Sequence, residues 1–183
     1  YGTDAGIVTE DAPVRPVTPY AESKWRGECA AQEEGKAHGM PVVVLRMAYV
    51  YGPRIETTRN RGGVFGRFLA ARRDGTPLVV MGTGMQAHDF IHVDDAVAAF
   101  LLVASRPGEA GPFNIGSGRL TTILELARCF GDGETVFRGD DCPGSSGSAL
   151  DCSRARARLG WQARIRLADG VRDLLGHPAA RRP

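Results

Sequence analysis

Residues 42–45 read Val-Val-Val-Leu, a β-branched run with no polar residue on either face. A strand of that kind is buried on both sides, which a parallel sheet covered by helices provides. A helical pattern over 19–38 precedes the run, and Gly52-Pro53 stops the strand that it begins at 42–49. Residues 55–62, rich in Thr, Arg, Asn and Gly, read as a loop. Val64 to Arg73 then forms a helix with Val64, Phe65, Phe68 and Leu69 on its apolar side. Strands are predicted at 78–81, 89–92 and 112–115. Asp94 or Asp95 opens a strongly apolar helix reaching about Ser105, and Thr122 caps another that runs to Phe130. The Gly/Ser/Asp-rich stretch 131–149 is expected to be a mobile loop. Short helices follow at 153–159 and 167–175, and the tail from His177 is expected to fray. Strands alternating with helices make this an α/β chain.

Composition narrows the function classes. With 183 residues, 43% of them hydrophobic and 24% charged, the chain has the make-up of a globular domain with a sizeable core. A net charge of +2 gives no reason to invoke nucleic acid, and no apolar run has membrane-spanning length. The expected compartment is the cytoplasm. Arg154, Arg156 and Arg158 read as a solvated helix face. Cys29, Cys129, Cys142 and Cys152 form no C-x-x-C and lack metal-ligand spacing, so no metal site is expected. Cys29 and Cys129 read as semi-buried thiols, and a Cys142–Cys152 disulfide is disfavoured in a reducing compartment.

The segment that points to chemistry is Thr18-Pro19-Tyr20-Ala21-Glu22-Ser23-Lys24. Thr18 suits a helix N-cap and Pro19 the first helical position. Tyr20 and Lys24 then stand at i and i+4, so the phenol and the ammonium share one helix face. An ammonium beside a phenol favours the phenolate, as proton transfer with a sugar or alcohol hydroxyl requires. Asp94 and Asp95 read as acids favoured by a helix N-terminus rather than as metal ligands, and Asn114 as a turn-forming strand end.

Further motifs occur along nearly the whole chain: Tyr1-Gly2, the run from Thr9 to Tyr20, Leu45-Arg46, and Tyr51-Gly52-Pro53-Arg54. They continue with Gly82-Thr83-Gly84-Met85-Gln86, Asp89-Phe90-Ile91-His92-Val93-Asp94-Asp95, Phe113 to Gly118, and Ala155 to Trp161. In content and order the set resembles the extended short-chain dehydrogenase/reductase family, the sugar-nucleotide epimerases and dehydratases.

That resemblance implies an incomplete Rossmann-like doubly wound parallel sheet plus a smaller α/β substrate-binding domain. It assigns residues 1–53 and 89–116 to the C-terminal part of the NAD-binding domain. Residues 54–88 and 117–176 would form the substrate domain, with 177–183 as a tail. It implies that Tyr20 is the acid/base and that Lys24 assists it and bonds the nicotinamide ribose, with NAD or NADP as cofactor. Ala48 and Tyr49 lie where the family's backbone approaches the nicotinamide end, or simply pack at a strand end. Tyr49, His88, Arg138 and Asp140 or Asp141 match substrate-binding positions for a nucleotide sugar. Intact members of the family usually form homodimers.

Two of those positions depart from the pattern. Tyr49 stands where many epimerases carry Asn, and His88 where an Arg commonly grips a substrate phosphate. Arginine is always charged and bidentate, whereas histidine offers one donor and is mostly neutral. The exchange removes a charged hydrogen bond of about 1.5–3 kcal/mol. Either the substrate is not a typical nucleotide sugar, or selection on the site has relaxed. No G-x-G-x-x-G and no G-x-x-G-x-x-G occurs, so the chain reads as the C-terminal portion of an epimerase that does not turn over alone. A 4,6-dehydratase, a ketoreductase and a non-catalytic truncated remnant are the alternatives. As a fragment it is expected to expose apolar surface and to be marginally stable.

Overall fold

The computed structural model describes residues 1, 6–55, 57, 62–140 and 147–176. In chain order they form β1 (Ile7–Val8), α1 (Pro19–Ala37), β2 (Val43–Met47), β3 (Tyr49–Tyr51), α2 (Gly63–Asp74), β4 (Leu78–Met81) and β5 (Ala87–His92). There follow α3 (Val93–Ala104), β6 (Gly111–Ile115), β7 (Leu120–Thr122), α4 (Ile123–Cys129), β8 (Thr135–Arg138), β9 (Ala149–Leu150), α5 (Ser153–Leu159) and α6 (Leu167–Gly176).

Pairing is mostly parallel, as the β-branched run predicts. β2 lies beside β6, β4 beside β8, β1 beside β9 and β3 beside β5; β7 adds an antiparallel edge to β5. Local chemistry sets the boundaries. The Thr18 hydroxyl accepts the Ala21 amide ahead of Pro19, opening α1. Thr122 and Glu125 cap each other's amides at the start of α4, forming a capping box. Gly75 and Gly160, both at left-handed φ, end α2 and α5.

Two hydrophobic cores result. One gathers Tyr51, Phe65, Phe68, Leu78, Val80, Phe90, Leu126, Phe130 and Leu174 from α2, α4, α6 and the strands between them. The other gathers Ile91, Phe113, Ile115, Ala155, Leu159 and Trp161 around β6, α3 and α5. Helix α5 therefore packs with β6, although residues 117–176 were expected together in the substrate domain.

Several expectations are corrected. The stretch 131–149 is not all loop: Thr135–Arg138 pairs with β4, and Ala149–Leu150 pairs with β1. The strand expected over 42–49 is two strands, β2 and β3, with different neighbours. Helix α3 is capped by His92, whose Nδ1 accepts the Asp94 amide. Asp94 stays exposed in the first turn, but Asp95 is buried and accepts the amides of Arg164 and Ile165. Asn114 is no turn residue. It lies fully buried within β6, and its amide group donates to the carbonyls of Val8 and Asp151. Of the arginine trio only Arg156 is a plain surface group; Arg154 grips Asp11, and Arg158 pairs with Glu109. Cys29 and Cys129 are semi-buried free thiols as expected, Cys152 is also free, and Cys142 lies outside the described residues. Among the described residues there is no group of three or more potential metal ligands and no helix long and apolar enough to cross a membrane.

Candidate active site

The first turns of α1 stand clear of the sheet. Tyr20 is 72% exposed, and the Lys24 ammonium lies 5.4 Å from the centre of its ring, one helical turn away as the spacing requires. Both side chains border a cleft of 830 Å³ between α1 and β2, whose floor runs from Val42 to Met47. Arg46 crosses this cleft to reach Glu28 with two hydrogen bonds, at 3.1 and 2.6 Å.

A second cleft, of 310 Å³, begins where β2 ends. Ala48, Tyr49, His88 and Asp89 line it together with Gly147 and Ser148, Gly147 lying beside His88. Tyr1, Met47 and Leu150 border both clefts, so the two adjoin. Three rings form the apolar wall: Tyr49 and His88 stand 6.2 Å apart, and Phe90 lies 5.4 Å from Tyr49 and 5.8 Å from His88. The Tyr49 hydroxyl turns away towards the start of α2, where it lies against Gly63 and hydrogen-bonds the Val64 backbone. Burial raises the Tyr49 phenol above its usual range, and the Arg67 charge opposes this in part. Burial also pushes His88 below the usual imidazole range, so this ring is neutral at neutral pH.

Asp89 holds the second cleft's floor. Its buried carboxylate accepts from the Ser117 amide and hydroxyl and from the amides of Gly118 and Leu150, at 2.6 to 3.1 Å. Four donors satisfy the charge and tie β5 to the loop after β6 and to β9. Gly116 is needed beside it, because a Cβ there would stand 2.6 Å from Asp89 Oδ2. The nearby Cys152 thiol, pushed up to about 12 by burial, is an inert packing group.

The structure thus brings Tyr20 with Lys24 into one cleft and Ala48, Tyr49 and His88 into its neighbour. Arg138 and Asp140 lie exposed at the end of β8 and border neither cleft, and Asp141 lies outside the described residues. Sequence reasoning missed Met47, Gly147, Ser148 and Arg67. Gly147 sits inside a stretch read wholly as loop, and only its amide bond to the Ala87 carbonyl brings it to the cleft.

Comparison with known proteins follows this geometry. The model of the NAD dependent epimerase/dehydratase family matches residues 1–116. A UDP-glucose 4-epimerase of Mycolicibacterium smegmatis is 33% identical over 177 residues, covering 93% of this chain and 56% of that protein. A dTDP-glucose 4,6-dehydratase of Streptomyces griseus is 32% identical over 178 residues, 93% of this chain and 53% of that one. The crystal structure of a Thermotoga maritima UDP-glucose 4-epimerase with UDP-glucose matches at a TM-score of 0.80 and 29% identity, covering 93% of this chain and 62% of that one. A Bacillus cereus UDP-glucuronic acid 4-epimerase with UDP-glucuronic acid and NAD matches at 0.80 and 27% identity, covering 96% and 58%. The chain spans a little over half the length of the curated relatives it matches.

Proposed function

This chain belongs to the NAD dependent epimerase/dehydratase family, and on that premise we propose that it is the catalytic and substrate-binding portion of an NAD-dependent nucleotide-sugar epimerase. The observation that carries the reading is the shared border of the two clefts, which places the Tyr20–Lys24 face beside the Tyr49–His88 wall. The donor set of α1 fits the nicotinamide-ribose end of a dinucleotide, because a lysine ammonium offers three N–H donors to vicinal hydroxyls. Ala48, at the end of β2, is the backbone approach to the same end. NAD supplies hydride acceptance and return at the sugar carbon when bound. Tyr20, as the phenolate that Lys24 favours, takes the proton from the sugar hydroxyl, holds it as the neutral phenol and then gives it back. We assign no residue of this chain to the pyrophosphate, and expect the chain not to turn over by itself.

On the substrate side, Tyr49 contributes its ring rather than its hydroxyl. His88 contributes a neutral donor or acceptor to the sugar-phosphate, while Arg138 and Asp140, exposed beyond both clefts, are left to a nucleotide end that extends past them. The cofactor domain comprises residues 1–53 and 89–116, together with α5, which packs on β6. The rest forms the substrate domain. A homodimer in the cytoplasm is the working assembly.

The test is conversion of UDP-glucose to its 4-epimer in the presence of NAD by the polypeptide as its gene encodes it. Turnover that disappears in Tyr20→Phe supports the reading; turnover that survives the substitution, or its absence from the unaltered protein, removes it. The similarity to a 4,6-dehydratase supports a second reading, and a 4-keto-6-deoxy product from dTDP-glucose in the same assay would favour it.

A further inference from the structure

One side chain ties the helix that carries Tyr20 and Lys24 to the sheet. In α1 only Gly35 is buried, close to the C-terminal end. Its backbone meets the turn that leads into β2 so closely that a Cβ would stand 2.4 Å from Val42 Cγ2 and 2.9 Å from the Met40 carbonyl. From there towards Tyr20 the helix leaves the strand, and the 830 Å³ cleft opens beneath Ala31, Glu28, Lys24 and Tyr20. These residues share one face with Gly35, at successive helical turns.

Glu28 is the member of that face that meets β2. Arg46 Nε and Nη2 donate to its two oxygens, and Arg46 Nη1 donates to the Tyr1 hydroxyl at 2.7 Å and to the Glu10 carbonyl at 3.0 Å. The guanidinium lies 5.0 Å from the Tyr1 ring and 5.8 Å from that of Trp25. Beyond it, the Tyr1 hydroxyl donates to Asn114 Oδ1 at 2.6 Å, and the Asn114 backbone amide donates to Glu10. A continuous, partly buried network therefore runs from the middle of α1, through β2, to the core of β6. Although burial alone disfavours the Arg46 cation, its bonds to Glu28 and Tyr1 more than offset this.

We propose that Arg46 is a positioning residue, a strut that fixes the tilt of α1 over the cleft and with it the place of Tyr20 and Lys24; this rests on the catalytic role proposed for that pair. The lever arm is long. Tyr20 lies fifteen residues, about 22 Å, from the Gly35 seat, so a tilt of about 5° moves it by about 2 Å. The mutual spacing of Tyr20 and Lys24 survives such a tilt, because both ride on the same helix. What changes is their distance from the sugar.

Arg46→Met and Glu28→Gln break the strut from opposite ends. Hydrogen exchange of the chain is read in α1 and in α2, a helix of the other core. The expected result is exchange about tenfold faster in α1 for each variant, with α2 unchanged. In the natural enzyme the expected result is a kcat lower by about a hundredfold per folded molecule with KM nearly unchanged. Arg46→Lys is expected not to rescue, because an ammonium cannot engage both Glu28 oxygens and Tyr1 together. Equal acceleration of α1 and α2, or an unchanged kcat per folded molecule, would overturn the proposal. If the unaltered enzyme turns over no nucleotide sugar, the functional reading fails, while the exchange arm still decides whether Arg46 sets the helix.

Discussion

The two cores differ in how completely they are closed. Around Phe65 the rings of Tyr51, Phe90 and Phe130 pack at centroid distances of 4.4, 5.1 and 6.1 Å, and all four rings are buried. Around β2 no strand residue is fully buried, α1 spans a cleft, and the outer face of α3 shows Phe100 at 59% and Leu101 at 66% exposure. The first region is stabilised by apolar burial. The second has a buried apolar cluster of its own around Phe113 and Leu159, but its α1 side is tied by the ion pairs and hydrogen bonds of Arg46, Glu10 and Asn114. A helix tied down by single polar residues responds to their removal, which a close-packed helix resists.

Truncation of equal chemistry in the two regions breaks the comparison most sharply. Phe65→Ala is expected to cost about 3–5 kcal/mol, because the ring is fully buried and its neighbours cannot all collapse. Phe100→Ala is expected to stay within about 0.5 kcal/mol. Urea denaturation measures both, and a large loss at Phe100 would mean that the outer face of α3 is covered in solution.

A smaller effect is aimed at the open region alone. A Cβ at Gly35 collides with the Met40 carbonyl as well as with Val42, and backbone cannot step aside as a side-chain end can. Gly35→Ala is therefore expected to cost about 1–3 kcal/mol and to accelerate exchange in α1. Stabilisation, as expected from helix propensity alone, would show that the seat is looser than its geometry. At the closed region, Thr122→Ala removes one half of the α4 capping box and is expected to cost about 1 kcal/mol, without change in α1 exchange.

How much of this was legible follows the range of the interactions. Helix α1 was readable from Thr18-Pro19, β4 from Leu78–Met81, and α2 from the spacing of Val64, Phe65, Phe68 and Leu69, because each signal lies within a few turns or one strand. Strand β8 was not, since Thr135–Arg138 is set among glycines and takes strand form only against β4. Asp95 carried a true local signal, a helix N-terminus, yet its buried carboxylate answers amides some seventy positions away. The site divided in the same way. The Tyr20–Lys24 face was fixed by four-residue spacing, whereas the strut beneath it joins residues 28 and 46 on separate elements. The Tyr49 hydroxyl, expected at the substrate, turned towards Gly63, a contact between β3 and α2 that no spacing announces.

The smallest expected effect sharpens the comparison at the seam between the cores. Burial holds His88 below its usual range, so the folded chain resists protonating it while the unfolded chain takes up a proton near pH 6.5. In the window from about pH 6.5 down to the depressed folded value, the unfolded state binds more protons, and stability falls as the pH falls. Above that window neither state carries the proton, and below it both do, so the slope is confined to it. Asp169, Glu125 and Asp151 are all held below the usual carboxylate range, so their loss of stability begins only lower, as the pH drops towards the carboxylate range. The urea midpoint is therefore expected to fall between pH 7.5 and pH 5.5 in the unaltered chain and to fall less in His88→Gln. His88 stacks with Tyr49 and Phe90 of the aromatic wall, so exchange at low pH should quicken first in β5 and α2 and leave α1 as it was. A midpoint that falls equally in both proteins would place the acid sensitivity elsewhere and leave His88 as an apolar wall residue in all but name.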